Sequence, residues 1–294
     1  MKNWLDKDAS LYSSVRDTSG RPATLKYILH TAIGWDISTI VKLRKLDRQA
    51  PNYDYEKKKL KESLQCFTPA ALFQNRSSGK LTEVSRTSVA QLDFDNKDIK
   101  DYDIDELKQA FFELPFVAYC GVSCSGDGLF VLVSIAEPHR LSEYMEHLFI
   151  VFEELGIPPD VSKGKLAHDL RFISYDANES LRYHPEDLKL SRFRTRPLAK
   201  NKGRTYYFSS RLRPNDESAF VQNALMRIVT AEKGNRNNVL CKEAYTLAGF
   251  GNHTYLRAAI DAMHGNPAFA GEENHFLGTI RSAFEKGASR PFLK

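Results

Sequence analysis

Between Thr87 and Asp176 the hydrophobic pattern switches period repeatedly, and the order of those switches limits the fold more than any other feature of the chain. TSVAQLDFD alternates, which places Val89, Gln91, Asp93 and Asp95 on one face of a strand and Ala90, Leu92 and Phe94 on the other. Ile104 to Leu114 is an amphipathic helical pattern, entered through acids that suit a helix N-terminus. PFVAYCGVS and GLFVLVSI read as two strands joined by the glycine loop SCSGDG. LSEYMEHLFIVFEELG carries Leu141, Tyr144, Leu148, Phe152 and Leu155 at helical spacing, and LRFISYD reads as a last strand. Strand, helix, strand, strand, helix, strand is the split-βαβ order of an RRM-like sheet. The expected fold class is therefore α+β: an RRM-like palm with extra N-terminal α/β elements, followed by a small all-α domain.

Length and composition are compatible with that plan. A chain of 294 residues suggests about two domains, and 42% hydrophobic residues suffice for real cores. Leu25 to Leu46 and Tyr55 to Leu64 read as helical, and SSG at Ser77 to Gly79 as a turn into a strand. The last third shows three helical patterns: Asn235 to Leu247, Thr254 to Met263 and Glu273 to Glu285. The expected divisions are a first domain at 1–187, a connector at 188–216 and a helical domain at 217–294. No apolar run is long enough to span a membrane, and MKNWLDKDAS lacks the apolar core of a signal peptide. Cys66, Cys120, Cys124 and Cys241 are too scattered for a disulfide framework or a CxxC zinc site. A cytoplasmic protein of a reducing compartment, without membrane partners, is expected.

The connector has its own chemistry. Between Asp187 and Asp216 there is no acid but there are nine basic residues: Lys189, Arg192, Arg194, Arg196, Lys200, Lys202, Arg204, Arg211 and Arg213. It carries +9 and the rest of the chain −4, so the formal net charge of +5 is a cancellation. Phe193, Tyr206, Tyr207 and Phe208 are interleaved with the charges. Cations for phosphates and aromatic faces for bases are what a single nucleic-acid strand requires. A solvated linker is the plainer alternative.

Asp93 and Asp95, at i and i+2 of one strand, project like charges about 7 Å apart from an otherwise apolar element, which destabilises it unless a cation is present. Hard oxygen ligands favour Mg²⁺ or Mn²⁺, and two such ions support nucleotidyl transfer. In SCSGDG, glycine N–H groups and the Ser123 and Ser125 hydroxyls can close round a phosphate, although an ordinary hairpin turn reads the same way. Asp160 is the leading third carboxylate, with Asp169 and Asp176 as competitors. Arg171 is a fixed-charge donor toward a triphosphate, unless it merely pairs with Asp169. In the helical domain Asn235, Arg236, Asn237 and Asn238 open a helix with donors, where phosphates bind readily and where plain N-capping is the alternative. Arg16, Lys26, Arg44, Lys45 and Arg48 read as surface charge, with lining of the strand path as the alternative.

Taken in order, LDFD, SxSGxGLF and DVSKGKLAHDLRFISYD resemble motifs I, II and III of the archaeo-eukaryotic primase superfamily, in particular the primase-polymerase branch of mobile elements and phages and its VirE N-terminal-like group. LKESLQCFTPAALFQNRSSGKLTEVS resembles the segment before motif I in that group. GNRNNVLCKEAYTLAGFG with EENHFLGTIRSAFEKG resembles the primase C-terminal helical domain, so the likeness covers most of the chain from about Lys59 onward. The resemblance implies primer synthesis or extension on a single-stranded DNA template from dNTPs or NTPs, with Mg²⁺ or Mn²⁺ as cofactor. Asp93, Asp95 and Asp160 would then be the catalytic metal ligands. Ser123, Ser125, Gly126, Gly128, Arg171 and His168 would contact the nucleotide. The template would meet Arg192, Arg194, Arg196, Lys200, Lys202, Arg204, Tyr206, Tyr207, Asn235 and Arg236. One departure stands out: motif II commonly ends in a histidine, and Phe130 occupies that place here. Either another cation (Arg171, Lys163 or Lys165) compensates or activity is weak; His168 is a candidate substitute from the opposite strand, with a structural histidine as the alternative. The alternative is a non-catalytic single-strand-binding replication or mobilisation protein that keeps the fold; a cyclase or nuclease palm ranks lower. No Walker A pattern occurs, so a helicase partner is expected in trans or in a C-terminal region beyond this sequence.

Overall fold

Thr24 turns the chain from strand into helix. Its hydroxyl accepts the Tyr27 N–H at 3.2 Å, capping α1 (Leu25–His30) directly after β2 (Arg21–Thr24), which pairs antiparallel with β1 (Asp8–Tyr12). The computed structural model describes residues 3–154, 156–192, 214 and 216–292. The chain divides into two compact units: Met1–Lys100, Ile104–Glu153 and Ile157–Lys202 form one, and Asp101–Asp103, Glu154–Gly156 and Gly203–Lys294 the other.

In the first unit α2 (Ile33–Arg44) and α3 (Tyr53–Ser63) lead into β3 (Cys66–Thr68), followed by the hairpin β4 (Ala71–Asn75) and β5 (Thr82–Arg86). The alternating run becomes β6 (Val89–Phe94), and after the short α4 (Asn96–Ile99) come α5 (Ile104–Phe112), β7 (Val117–Val122), β8 (Leu129–Ser134) and α6 (Leu141–Glu154). Two short strands close the unit, β9 (Arg171–Phe172) and β10 (Ser180–Leu181). One sheet has the order β10-β7-β8-β6, the other β2-β1-β3-β9.

The period-2 pattern sorts β6 as expected. Phe94 packs with Phe111 of α5 and Phe152 of α6 at ring-centroid distances of 4.8 and 5.1 Å, and the two helix rings meet at 5.0 Å. Val89, on the opposite face, shares a core with Phe130, Leu132, Phe67 and Ile173. In this sheet β8 lies between β6 and β7. The fourth strand of the split-βαβ expectation departs from it: Arg171 and Phe172 pair with Phe67 and Cys66 in the other sheet. The edge of β6 is met instead by loop backbone, since Asp160 N–H donates to the Asp93 carbonyl at 2.7 Å. Gly164 follows closely: a Cβ there would stand 2.3 Å from the Gln91 carbonyl oxygen, and its φ is +86°. Only glycine fits that approach. A bare strand edge is a pairing hazard, and this loop covers it.

The second unit is helical: α7 (Glu217–Val229), α8 (Arg236–Ala248), α9 (Thr254–His264) and α10 (Glu273–Ala288). Helical spacing in the sequence predicts three of these, and α7 is an addition to that expectation. Its signal was present, because Asp216 caps Ala219 N–H at 2.9 Å and Phe220, Val221, Ala224 and Ile228 are buried along one face. Arg227 joins α7 to the buried Glu243 of α8 through two hydrogen bonds of 2.9 Å.

Candidate functional site

β6 carries Asp93 through its ladder position opposite Phe130, and the strand stops at Phe94. Asp95 therefore leaves the ladder and becomes the residue that precedes α4, exposed, with Lys97 Nζ 3.7 Å from its carboxylate. The expectation that both acids project from one strand face is corrected to this extent.

Asp93 is half-buried and already has a counter-ion: Arg171 Nη1 donates to it at 3.0 Å. The same guanidinium donates from Nε to Gln91 Oε1 at 3.3 Å and lies over the Phe130 ring at 5.0 Å. Gln91 Nε2 in turn donates to the Asp169 carbonyl at 3.0 Å. The sequence alternative in which Arg171 merely pairs with Asp169 is thus replaced by a pairing with Asp93. The cation that sits at the Phe130 position is Arg171.

The three competing acids separate cleanly. Asp169 Oδ2 accepts Gly164 N–H at 2.8 Å and Leu166 N–H at 3.1 Å, so it closes its own loop. Asp176 is buried among Lys108 Nζ at 3.1 Å, Val122 N–H at 3.0 Å and Asn178 N–H at 2.9 Å. Asp160 alone of the three is docked on the Asp93 backbone. Burial by itself would raise its pKa, but the Ser162 N–H at 2.9 Å and the charges of Lys163 and Lys97 outweigh it, so the carboxyl titrates below the ordinary aspartate range.

SCSGDG is a closed loop. Ser123 N–H donates to Gly128 O at 2.7 Å, Gly126 N–H to Ser123 O at 2.9 Å, and Gly128 N–H to Ser123 Oγ at 3.2 Å. The Ser123 and Ser125 hydroxyl oxygens are 3.3 Å apart. The expectation that the Gly126 and Gly128 N–H groups are open to a phosphate is corrected, because both are used inside the turn. Arg44, read from sequence as surface charge, holds the loop from outside. It donates to the carbonyls of Ser123 at 3.1 Å, Cys124 at 3.4 Å and Tyr175 at 2.6 Å, and its side chain runs past Gly126, whose φ is +82°. Arg48 pairs with Asp127 of the same loop. No sequence pattern announces this role, since the partners lie about eighty and one hundred and thirty residues away.

His168 goes elsewhere. It lies edge-on to Phe73 at 6.5 Å and lines a cleft of about 240 Å³ with Glu83, Arg86, His139 and Lys165. None of Asp93, Asp95, Asp160, Ser123 or Arg171 lines that cleft. In the helical unit Arg236 is turned inward: it donates to the Ala268 carbonyl and pairs with Glu272, and its guanidinium lies over Phe276 at 4.8 Å. Asn235 accepts from Asn238 Nδ2 at 3.3 Å and does not cap α8 with its side chain. Arg192 ends a short 3₁₀ turn at Leu190–Arg192, while Arg194, Arg196, Lys200, Lys202, Arg204, Tyr206 and Tyr207 lie outside the described residues.

Carboxylates such as Asp93, Asp95 and Asp160 suit Mg²⁺ or Mn²⁺ in kind. With Asp93 on Arg171 and Asp95 on Lys97, no three acidic, histidine or cysteine side chains among the described residues stand close enough together to hold an ion.

No curated protein and no solved structure matches the chain. A family model described as BT4734-like, N-terminal domain, matches residues 59–157, a stretch that contains Asp93, Asp95 and the SCSGDG loop and stops before Asp160 and Arg171.

Proposed function

We propose that the chain is a DNA-dependent primase-polymerase, which makes or extends primers on single-stranded DNA in the replication of a mobile element, plasmid or phage. The observation that supports this reading most is the docking of Asp160 on Asp93 beside Asp95, with Asp169 and Asp176 committed to other work. In the reaction a primer 3′-hydroxyl attacks the α-phosphorus of a nucleoside triphosphate, the new P–O bond forms, and the bond to pyrophosphate breaks. A bound divalent cation would lower the hydroxyl pKa and take up charge on the leaving group. Asp93, Asp95 and Asp160 would be its anionic ligands once Asp93 and Asp95 exchange Arg171 and Lys97 for the ion. The Ser162 N–H and the charges of Lys163 and Lys97, against the opposing effect of burial, hold the Asp160 carboxyl below the ordinary aspartate range. Arg171, fixed over Phe130, brings permanent positive charge to the place where motif II of the resembled family carries histidine. The finer RRM-like description of the β6-β8-β7 sheet, the strand-binding role of the connector and a helicase partner belong to the same proposal.

The test is incubation of the purified chain with primed and unprimed templates, dNTPs or NTPs, and Mn²⁺. Labelled product from wild type, lost in Asp93→Asn and Asp160→Asn, is expected. Product that persists in both variants would end the reading. A second reading, a strand-binding protein without catalysis, is favoured by the ion pairs that occupy Asp93 and Asp95. It predicts strand binding with no product and no Mn²⁺ uptake.

A further inference from the structure

Helix α2 leaves a tryptophan in the open. Trp35 is 79% exposed, whereas Trp4, the other of the two tryptophans, is 6% exposed and donates its indole N–H to the Arg182 carbonyl at 2.9 Å. The buried face of α2 is made by Asp36, Ile40 and Leu43. Helical spacing puts Trp35 on the side of α2 that carries Ser38 and Lys42. Helix α3 presents a second aromatic, Tyr55, which is 67% exposed and stands one helical turn from exposed Lys59. Between Lys42 and Lys61 there are eight basic residues against three acids. Arg44 and Arg48 among these are spent on the SCSGDG loop, which ties the end of α2 to the candidate site. Lys42, Lys45, Lys58 and Lys59 are exposed, Lys58 with its Nζ 4.0 Å from a Glu62 carboxylate oxygen.

We infer that the outer surface of α2 and α3 is a platform for single-stranded nucleic acid, on which Trp35 and Tyr55 stack bases and Lys42, Lys45, Lys58 and Lys59 neutralise phosphates. A water-exposed indole on a helix pair with this excess of cations fits a polyanion with flat apolar bases, and the charge disfavours a second copy of the same basic surface. The inference rests on the strand-directed reading of the site.

Trp35 supplies its own probe, because Trp4 is shielded. Oligodeoxythymidylate added to the full chain should quench the exposed tryptophan fluorescence, in parallel with binding read by anisotropy of a labelled oligonucleotide. Trp35→Ala should weaken binding about tenfold, Trp35→Phe should restore most of it, and Trp35→Leu should not. Each of Lys42→Gln and Lys59→Gln should lower the salt slope by about one. Strand binding by anisotropy without quenching, or with unchanged affinity in Trp35→Ala, would overturn the platform and leave the proposed function standing. Quenching with no primer product would do the reverse. A change in oligomeric state in Trp35→Ala, with strand affinity intact, would assign the surface to a second copy and overturn the inference.

Discussion

The two faces of β6 are built on opposite principles. On one, Phe94 is locked with Phe111 and Phe152 in a three-ring cluster, with every ring fully buried. On the other, Gln91 and Asp93 meet Arg171, which is stacked on Phe130, so charge is held over an apolar floor. Alternation along a single strand delivers both: the ring face binds helices to sheet, and the charged face is where β6 has groups to offer a ligand. The difference teaches that stability and candidate chemistry are separable here, one residue apart, and variants on the two faces should separate them.

The largest effect belongs to the ring face. Phe152→Ala should cost about 3–5 kcal/mol, read as a lower urea midpoint for the first unit. A loss below about 1 kcal/mol would show that the cluster repacks. Next comes Gly164→Ala, where a Cβ would meet the Gln91 carbonyl at 2.3 Å in a left-handed conformation; about 2–3 kcal/mol is expected from the clash and the strain. Because this variant lifts Asp160 off β6, transfer activity should fall as far as in Asp160→Asn, and normal activity would break the link between docking and chemistry.

On the charged face, Arg171→Met leaves Asp93 half-buried without its partner, at about 2 kcal/mol. Asp93→Asn in the same background should recover much of that loss, and a double-mutant cycle with no coupling would show the ion pair to be idle. Asp176 tests acid sensitivity. Burial pulls its pKa up, but hydrogen bonds from Asn178, Lys108 and Val122 win, and the folded value lies below the ordinary aspartate value. A depressed folded pKa means that its stabilisation is complete above the unfolded value of 3.8 and is lost as pH falls through the lower folded value. Asp176→Asn should therefore be less stable near neutrality and show a shallower loss in acid, measured by denaturation as a function of pH. The smallest structural effect is Asp95→Asn. Its exposed pairing with Lys97 is worth about 0.5 kcal/mol or less, yet transfer should vanish, which would be the sharpest separation of the two roles.

Much of the first unit's middle was legible because period-2 and period-3.6 patterns there are strong: β6, α5, β7, β8 and α6 all occur within two residues of the expected bounds. β1 and β2 were not legible, since DASLY and RPAT are short and carry little alternation. The LRFISYD run announced a strand but not its partner; backbone pairing is chosen by whichever edge is within reach, and Cys66 and Phe67 offered one. Asp93, Asp95 and Asp160 were named from residue type and spacing. The Arg44 clamp was invisible because an isolated arginine in a helix looks the same whether it is solvated or bound to three distant carbonyls.

The sequence by itself determined the α+β class, the faces of β6 and the set of acids from which a site can be drawn, because side-chain periodicity and chemical type are local properties. Tertiary structure alone decided which acid of Asp160, Asp169 and Asp176 stands beside Asp93, that Arg171 is its counter-ion, and that SCSGDG is clamped shut. Those outcomes depend on hydrogen bonds between segments fifty to one hundred and thirty residues apart. Buried or half-buried polar groups must each find a partner, and only the folded chain shows which partner is close enough.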